Sequence, residues 1–309
     1  MSTLKDILIS KNPSCSSIWF MRQAGRYLPE FRKIRSQNKN FIKLCLNSNL
    51  SSKITLQPIK RYNLDSAIIF SDILLVPYAL GQEVNFIKNK GPILSDFNLN
   101  LFLKNNNKSF AIKLDPIYKA IKITRKKLQN QKSLISFVGA PWTLLIYMFG
   151  LKKGNNKINI KKLKSQQLNI NLVLDSLIKY LCAHIQNQIS AGADVVQIFD
   201  SWAGLIPHKY LNKYCYEPNL KIVSFCKKKK IPVICFPKGI KKRYVDFYNI
   251  VKPDGLNIDY EIKPKWARQN LKGVVLQGGM NPQILLKSEK AMYKEAKKYL
   301  DAFKGTPYV

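Results

Sequence analysis

A chain of 309 residues, 46% of them hydrophobic, is long enough for one large α/β unit or two ordinary domains and can bury a sizeable core. Its 52 Lys and Arg against 18 Asp and Glu give a formal charge of +34, which ordinarily points to nucleic acid, an anionic membrane or an acidic ligand; here the excess is Lys scattered among Asn and Ile, residues with A/T-rich codons, so runs such as 227–230 and 241–243 read as solvated helix ends and no nucleic-acid partner is expected. Six cysteines without a Cys-x-x-Cys pair and only two histidines, His184 and His208, argue against a metal site, and the absence of a signal-peptide core or an uninterrupted apolar span points to a reducing cytoplasm rather than export or a membrane.

In chain order, residues 18–21 form an apolar, strand-like run that turns polar at Arg22, Gly25, Arg26 and Pro29, delivering two guanidiniums into a loop. Arg presents planar donors that bind carboxylates bidentately and keeps its charge, so the pair suits a poly-acidic ligand. A helical pattern over 41–57 leads to the continuous apolar run 67–70, which ends in Ser71 and Asp72. A run of this kind fits a strand buried on both faces, as in parallel sheets. The same grammar recurs at 134–138, 195–199, 233–236, 255–258 and 274–276, each run leaving through glycine, proline or a polar residue. Helical patterns over 117–128, 168–190, 209–229, 241–251 and 282–303 lie between them. Residues 78–107 read as a long polar insertion, poor in helix, placed to close over a site.

Seven strand-then-helix units describe most of a (β/α)₈ TIM-type barrel spanning 1–309 as a single domain, with its site at the strand exits. A doubly wound open sheet uses the same units, although neither a Gly-x-Gly-x-x-Gly nor a phosphate loop follows the first strand. The eighth strand–helix unit is missing from this reading: the chain stops at 305–309, where another strand would start, which should leave apolar edge exposed beside strands one and seven.

The runs Phe-Met-Arg-Gln-Ala-Gly-Arg-Tyr-Leu-Pro-Glu at 20–30, Leu-Gln-Pro at 56–58, Ile-Ile-Phe-Ser-Asp-Ile-Leu at 68–74 and Gly-Ala-Pro-Trp-Thr-Leu at 139–144 closely resemble the uroporphyrinogen decarboxylase family. The likeness continues through 200–204 and 276–278. It implies a (β/α)₈ barrel that works as a homodimer without a cofactor or metal, converting the four acetate arms of uroporphyrinogen to methyls to give coproporphyrinogen. Carried onto this chain, it implies Asp72, Arg22 and Arg26 as catalytic, and Arg22, Gln23, Ala24, Gly25, Arg26, Asp72, Tyr147 and Ser201 as substrate contacts.

The chemistry of the residues agrees. Uroporphyrinogen carries eight carboxylates at its rim and four pyrrole N–H donors at its centre, so a site needs cations outside and an acceptor inside. Arg22 and Arg26 supply the former and Asp72 the latter, where it would also stabilise a protonated pyrrole. That protonated ring is the electron sink, so no organic cofactor is demanded. The proton donor stays open. Each residue also has a structural reading: Asp72 as a helix cap, Tyr147 as a core aromatic with a wet tip, Ser201 as an N-cap, and both histidines as structural or surface groups. Gly279 stands where the family usually has Asn, and Asn257 where it usually has Asp. A histidine-bearing exit after strand eight has no counterpart. The rival readings are a disabled remnant that binds tetrapyrrole or a partner, a methyltransferase of the same superfamily, whose zinc cluster these His and Cys positions do not supply, and a nucleic-acid binder.

Overall fold

The structure, a computed structural model, describes residues 3–14, 16–87, 91–154 and 157–309. Cys15, counted above among the cysteines, and the first two residues lie outside them. Helix α1 (Leu4–Ser10) starts at a capping box in which the Thr3 and Asp6 side chains each bond the other's backbone N–H. There follow α2 (Pro29–Gln37), opened by a proline at its first turn, then α3 (Phe41–Cys45) and α4 (Ser48–Arg61). The single helix expected over 41–57 breaks at Leu46 and Asn47 because Asn47 turns its side chain back to cap α4 through the Leu50 N–H at 3.0 Å.

Next come β1 (Ser66–Ile68), α5 (Leu75–Ala79), the hairpin β2 (Val84–Ile87) and β3 (Gly91–Leu94), α6 (Leu99–Leu103) and α7 (Asn107–Lys127). The segment 78–107 is therefore not the unstructured insertion expected. Phe86 of the hairpin packs edge-on against Phe41 at 4.6 Å, which anchors it to the main core. The chain continues through β4 (Ser133–Gly139), α8 (Pro141–Met148), the short pair β5 (Lys152–Lys153) and β6 (Lys157–Ile158), α9 (Ile160–Ser165) and α10 (Gln167–Ser190). The last part holds β7 (Val195–Asp200), α11 (Glu217–Lys228), β8 (Val233–Pro237), α12 (Tyr244–Val251), β9 (Gly255–Ile258), α13 (Pro264–Asn270), β10 (Val275–Gly278) and α14 (Glu289–Phe303).

Six strands form one parallel sheet in the order β1-β4-β7-β8-β9-β10. The sheet curls towards closure through two further chain segments. Ser16 and Tyr308 make parallel bridges, Tyr308 pairing with both Leu276 of β10 and Ser16. On the other side, the Asp65 N–H donates to the Ile18 carbonyl at 2.9 Å, and the Ile18 N–H donates to the Asp65 carboxylate at 2.7 Å. The strand expected at 18–21 is thus an extended run with its pairing at Ser16, and Met21 and Arg22 already belong to a turn.

The uncovered edge expected beside strand seven is not found. Residues 307–309 lie along β10, where the Leu276 N–H donates to the Pro307 carbonyl, and Val309 both donates to Leu276 and accepts from Gly278, at 2.8–3.1 Å. Tyr308 donates to the Gly278 carbonyl and stacks on Phe303 at 4.3 Å. A few residues suffice here because each pairs with backbone that would otherwise be unsatisfied. The eighth strand position of the barrel is occupied.

Side chains alternate along these strands between the barrel interior and the surrounding helices. Inward-facing Ile68, Ile135, Val195, Ile234 and Val275 pack with Trp19 and with Leu4, Ile7 and Leu8 of α1, so α1 plugs the end at which the strands begin. The outward residues join the larger core shared with the helices. With one end stoppered, the strand exits form the open end.

Candidate active site at the open end of the barrel

The next inward positions along the strands are polar. The Trp19 indole donates to Gln277 at 3.2 Å, and the Gln277 amide donates to Asn257 at 2.6 Å and Gln197 at 3.3 Å, all buried. Asn257 is thereby a cross-link between strands rather than a free acid or acceptor. Nearer the exits stand Phe137, Phe199 and Phe236, all half-buried, the first two meeting edge-to-face at 5.6 Å. This gives the open end an apolar floor on which a flat, weakly polar ring system can rest.

Around that floor the structure gathers three of the expected residues. Asp72 follows the β1 run, and its carboxylate accepts the Leu74 N–H at 2.8 Å. That contact is a local turn, since α5 begins only at Leu75, and it uses one of the carboxylate's two oxygens. Burial pushes the Asp72 carboxyl up to about 6, while the Leu74 N–H and the neighbouring Arg22 guanidinium pull it down. Tyr147, on α8, is also pushed up, first by burial and then by the Asp72 charge, with Trp202 and Arg22 opposing. Arg22, Asp72 and Tyr147 are thus close enough to feel one another. Asp72 sits near neutrality, where its charge responds to what binds beside it.

The remaining residues divide. Ser201 is half-buried at the β7 exit, and its hydroxyl makes no hydrogen bond to the described residues. Arg26 is exposed and its side chain makes no ion pair among them, although its carbonyl accepts from Arg32 at 3.0 Å. Gln23 is buried and occupied by the protein itself. It accepts the Phe20 N–H at 3.1 Å and donates to the Ser66 carbonyl at 3.1 Å, while its own carbonyl accepts the Tyr27 hydroxyl. Its side chain pins the arginine loop to β1. Ala24 packs on the main core and Gly25 lies in the turn between the two arginines.

Sequence reasoning missed the groups beneath the site. Asp200, the last residue of β7, is 1% exposed and accepts the Thr143 hydroxyl at 2.7 Å; its second oxygen has no partner among the described groups. Burial pushes it up to about 6 as well, against the Thr143 hydroxyl bond. Its signal was present, since it ends an apolar run as Asp72 does. The phenylalanine floor was likewise written as alternation at strand ends.

His184 is buried against Tyr118 and Gln188 at 2.9 and 2.8 Å, and His208 is exposed on a short turn, so neither reaches the site. Among the described residues no group of three or more His, Cys, Asp or Glu could hold a metal ion, and no helix is long and apolar enough to cross a membrane. A cavity of about 720 Å3 lies at the opposite end, between the C-terminal ends of α4 and α7. Two of the cations that line it are engaged locally, Arg61 with Glu30 and Lys132 with the Leu64 carbonyl.

The family model for uroporphyrinogen decarboxylase matches residues 2–309. The chain belongs to the uroporphyrinogen decarboxylase family. Relatives named uroporphyrinogen decarboxylase include one from Orientia tsutsugamushi (strain Ikeda), 40% identical over 301 residues that cover 96% of this chain and 87% of the relative. Another, from Rickettsia felis, is 38% identical over 304 residues, covering 97% and 88%. A solved methyltransferase structure from Methanosarcina mazei superposes with a TM-score of 0.74 at 15% identity, covering 100% of this chain and 92% of that one. At that identity the likeness speaks for the barrel fold alone, and the sequence relatives decide the family.

Proposed function

We propose that this protein decarboxylates the four acetate side chains of uroporphyrinogen III to give coproporphyrinogen III in tetrapyrrole biosynthesis, using no cofactor. The observation that carries the reading is the Arg22–Asp72–Tyr147 cluster over the phenylalanine floor, at the open end of a barrel of this family. The macrocycle rests on Phe137, Phe199 and Phe236 with its pyrrole N–H groups towards Asp72. Arg22 and Arg26 hold rim carboxylates as bidentate partners, and Tyr147 and Ser201 donate to others.

Each round begins with a proton added to the pyrrole carbon that bears the acetate arm. The ionised Asp72 carboxylate, placed against the N–H groups, stabilises the resulting cation. The bond to the carboxylate then breaks, carbon dioxide leaves, and the electron pair neutralises the ring as an exocyclic methylene. A proton added to that methylene makes the methyl, and loss of the first proton from the ring restores the pyrrole. The balance is one carboxylate and one proton in, one methyl and one carbon dioxide out. Ring nitrogen serves as the electron sink, so the protein's part is placement and charge.

The reading includes a homodimer in the cytoplasm, with neither nucleic acid nor membrane as partner. Leu168 and Leu172, one turn apart on α10, and Ile160 on α9 are exposed at 73%, 53% and 42%, which suits a surface met by a second copy. The test is anaerobic incubation of the protein with uroporphyrinogen III, followed by chromatographic counting of carboxyl groups on the product. Loss of four supports the reading. Full retention of eight by a folded protein that binds the tetrapyrrole would favour the disabled remnant instead.

A further inference from the structure

Ser201 is held through both of its neighbours while its own hydroxyl stays unpaired among the described residues. The Thr143 hydroxyl, in the first turn of α8, donates to the Asp200 carboxylate at 2.7 Å and accepts the Trp202 N–H at 3.2 Å. A hydroxyl has one proton and spare lone pairs, so a single oxygen ties the side chain before Ser201 to the backbone after it. Thr143 is fully buried and Asp200 is 1% exposed, so bulk water competes with neither bond. The same loop is tied from the neighbouring strand exit: the Lys238 N–H donates to the Asp200 carbonyl at 3.1 Å, and the Gly204 N–H donates to the Lys238 carbonyl at 2.8 Å. The Trp142 indole N–H completes the grip on the Trp202 carbonyl at 3.0 Å. Two rigid peptide planes meet at the Ser201 Cα. The first is pinned through the Asp200 carbonyl and the second through the Trp202 N–H, which fixes both backbone angles of Ser201 and the direction in which its side chain leaves.

We propose that Thr143, anchored on Asp200, is a positioning residue for Ser201: it pins the second of the two peptide planes that meet there, so that the unpaired Ser201 hydroxyl is presented ready-aimed to a substrate carboxylate. Only Ser201 touches the ligand. Asp200 holds the Thr143 hydroxyl in the rotamer that receives the Trp202 N–H, and the loop then has nothing left to order when the ligand arrives, which is the cost that preorganisation removes. The inference rests on the decarboxylase reading for the identity of the ligand.

The test is a double-mutant cycle between Thr143→Val and Ser201→Ala, read as KM and kcat for uroporphyrinogen III and as Kd for coproporphyrinogen III under anaerobic conditions. Valine keeps the branched shape of Thr143 and removes its hydroxyl. With Ser201 present, Thr143→Val should raise KM and Kd about tenfold and leave kcat within about twofold, because a rim contact is made alike before and during the reaction. With Ser201→Ala already in place, it should change KM and Kd less than about twofold, since the hydroxyl it aims is gone. Thr143→Ser, which keeps the hydroxyl and loses the methyl, should bring KM and Kd back to within about threefold of the parent, whatever it does to the urea midpoint. Equal fold losses in both backgrounds, or a Thr143→Ser protein as impaired as Thr143→Val, would overturn the assignment. If Thr143→Val does not fold, Trp142→Phe, which releases the Trp202 carbonyl, takes its place in the cycle, with the same outcomes. A parent protein that binds coproporphyrinogen III but turns over nothing would overturn the decarboxylase reading, and the Kd cycle would still judge Thr143.

Discussion

Asp72 is where the site's chemistry and its cost meet. Its carboxyl lies at about 6 in the folded protein against an ordinary 3.8, because burial disfavours the charge more than Arg22 and the Leu74 N–H favour it. The sign follows: the folded state holds this proton more tightly, so the group costs stability above pH 6 and costs nothing below 3.8. Asp72→Asn should therefore raise stability at pH 8 by about 1–3 kcal/mol, seen as a higher urea midpoint, while lowering kcat/KM at least about 100-fold. A variant less stable than the parent at pH 8 would contradict the assigned burial cost. Because the carboxylate is the working form, kcat/KM of the parent should fall below an apparent pKa near 6.

His184 titrates with the opposite sense. Burial pushes it down to about 3, so it stays neutral when folded and takes a proton on unfolding. Its stabilising contribution is present above about 6.5 and is lost as the pH falls through that value. By pH 5 the loss is about 2 kcal/mol, measurable as the difference in pH dependence between the parent and His184→Gln. No difference between the two would show that the imidazole is not held neutral. Its place inside a long helical pattern had marked this histidine as structural or surface, and its partners Tyr118 and Gln188 make it structural.

At the scale of elements, the most informative contact is between two loops. A Cβ on Gly204, after β7, would stand 2.7 Å from the Gly239 carbonyl oxygen, after β8, and backbone cannot swing aside as a side chain can. The Gly204 N–H also donates to the Lys238 carbonyl at 2.8 Å. Gly204→Ala should part these exits, moving Ser201 and Trp202, and lower kcat/KM about 10- to 100-fold with far-UV helix content unchanged. Unchanged kinetics would mean that this close approach does not set the site.

The strand-and-exit grammar was legible because buried parallel strands must be continuously apolar, and their polar exits fall where the chain leaves the sheet. The first strand was misplaced because Ile18 and Phe20 are apolar yet 57% and 48% exposed, which composition cannot reveal. Residues 78–107 hid a hairpin because its strands are only four residues each, one of them opening Gly-Pro, and gain their order from Phe86 against Phe41. Gln23 looked like part of a binding motif, yet it spends both ends of its amide on backbone. Motif residues do not announce whether they touch a ligand or hold the loop that does.

For the whole molecule, closure of the barrel is the feature least visible in the sequence. Three residues, 307–309, join β10 to the segment at Ser16 because every strand edge in a barrel offers unpaired backbone groups. Association is the second whole-molecule expectation. Light scattering at micromolar concentration should give twice the 35.6 kDa chain mass, and Leu168→Lys with Leu172→Lys should return it to one chain. A monomeric parent would contradict the dimer.

The most direct measurement of the central claim follows carbon dioxide released from uroporphyrinogen III labelled in its acetate carboxyls, with parent and Asp72→Asn compared under the same anaerobic conditions. The account predicts four equivalents per substrate from the parent, and at least about 100-fold slower release from a variant that remains folded and binds tetrapyrrole. Equal rates from the two proteins, or no release from a parent that binds substrate, would contradict it.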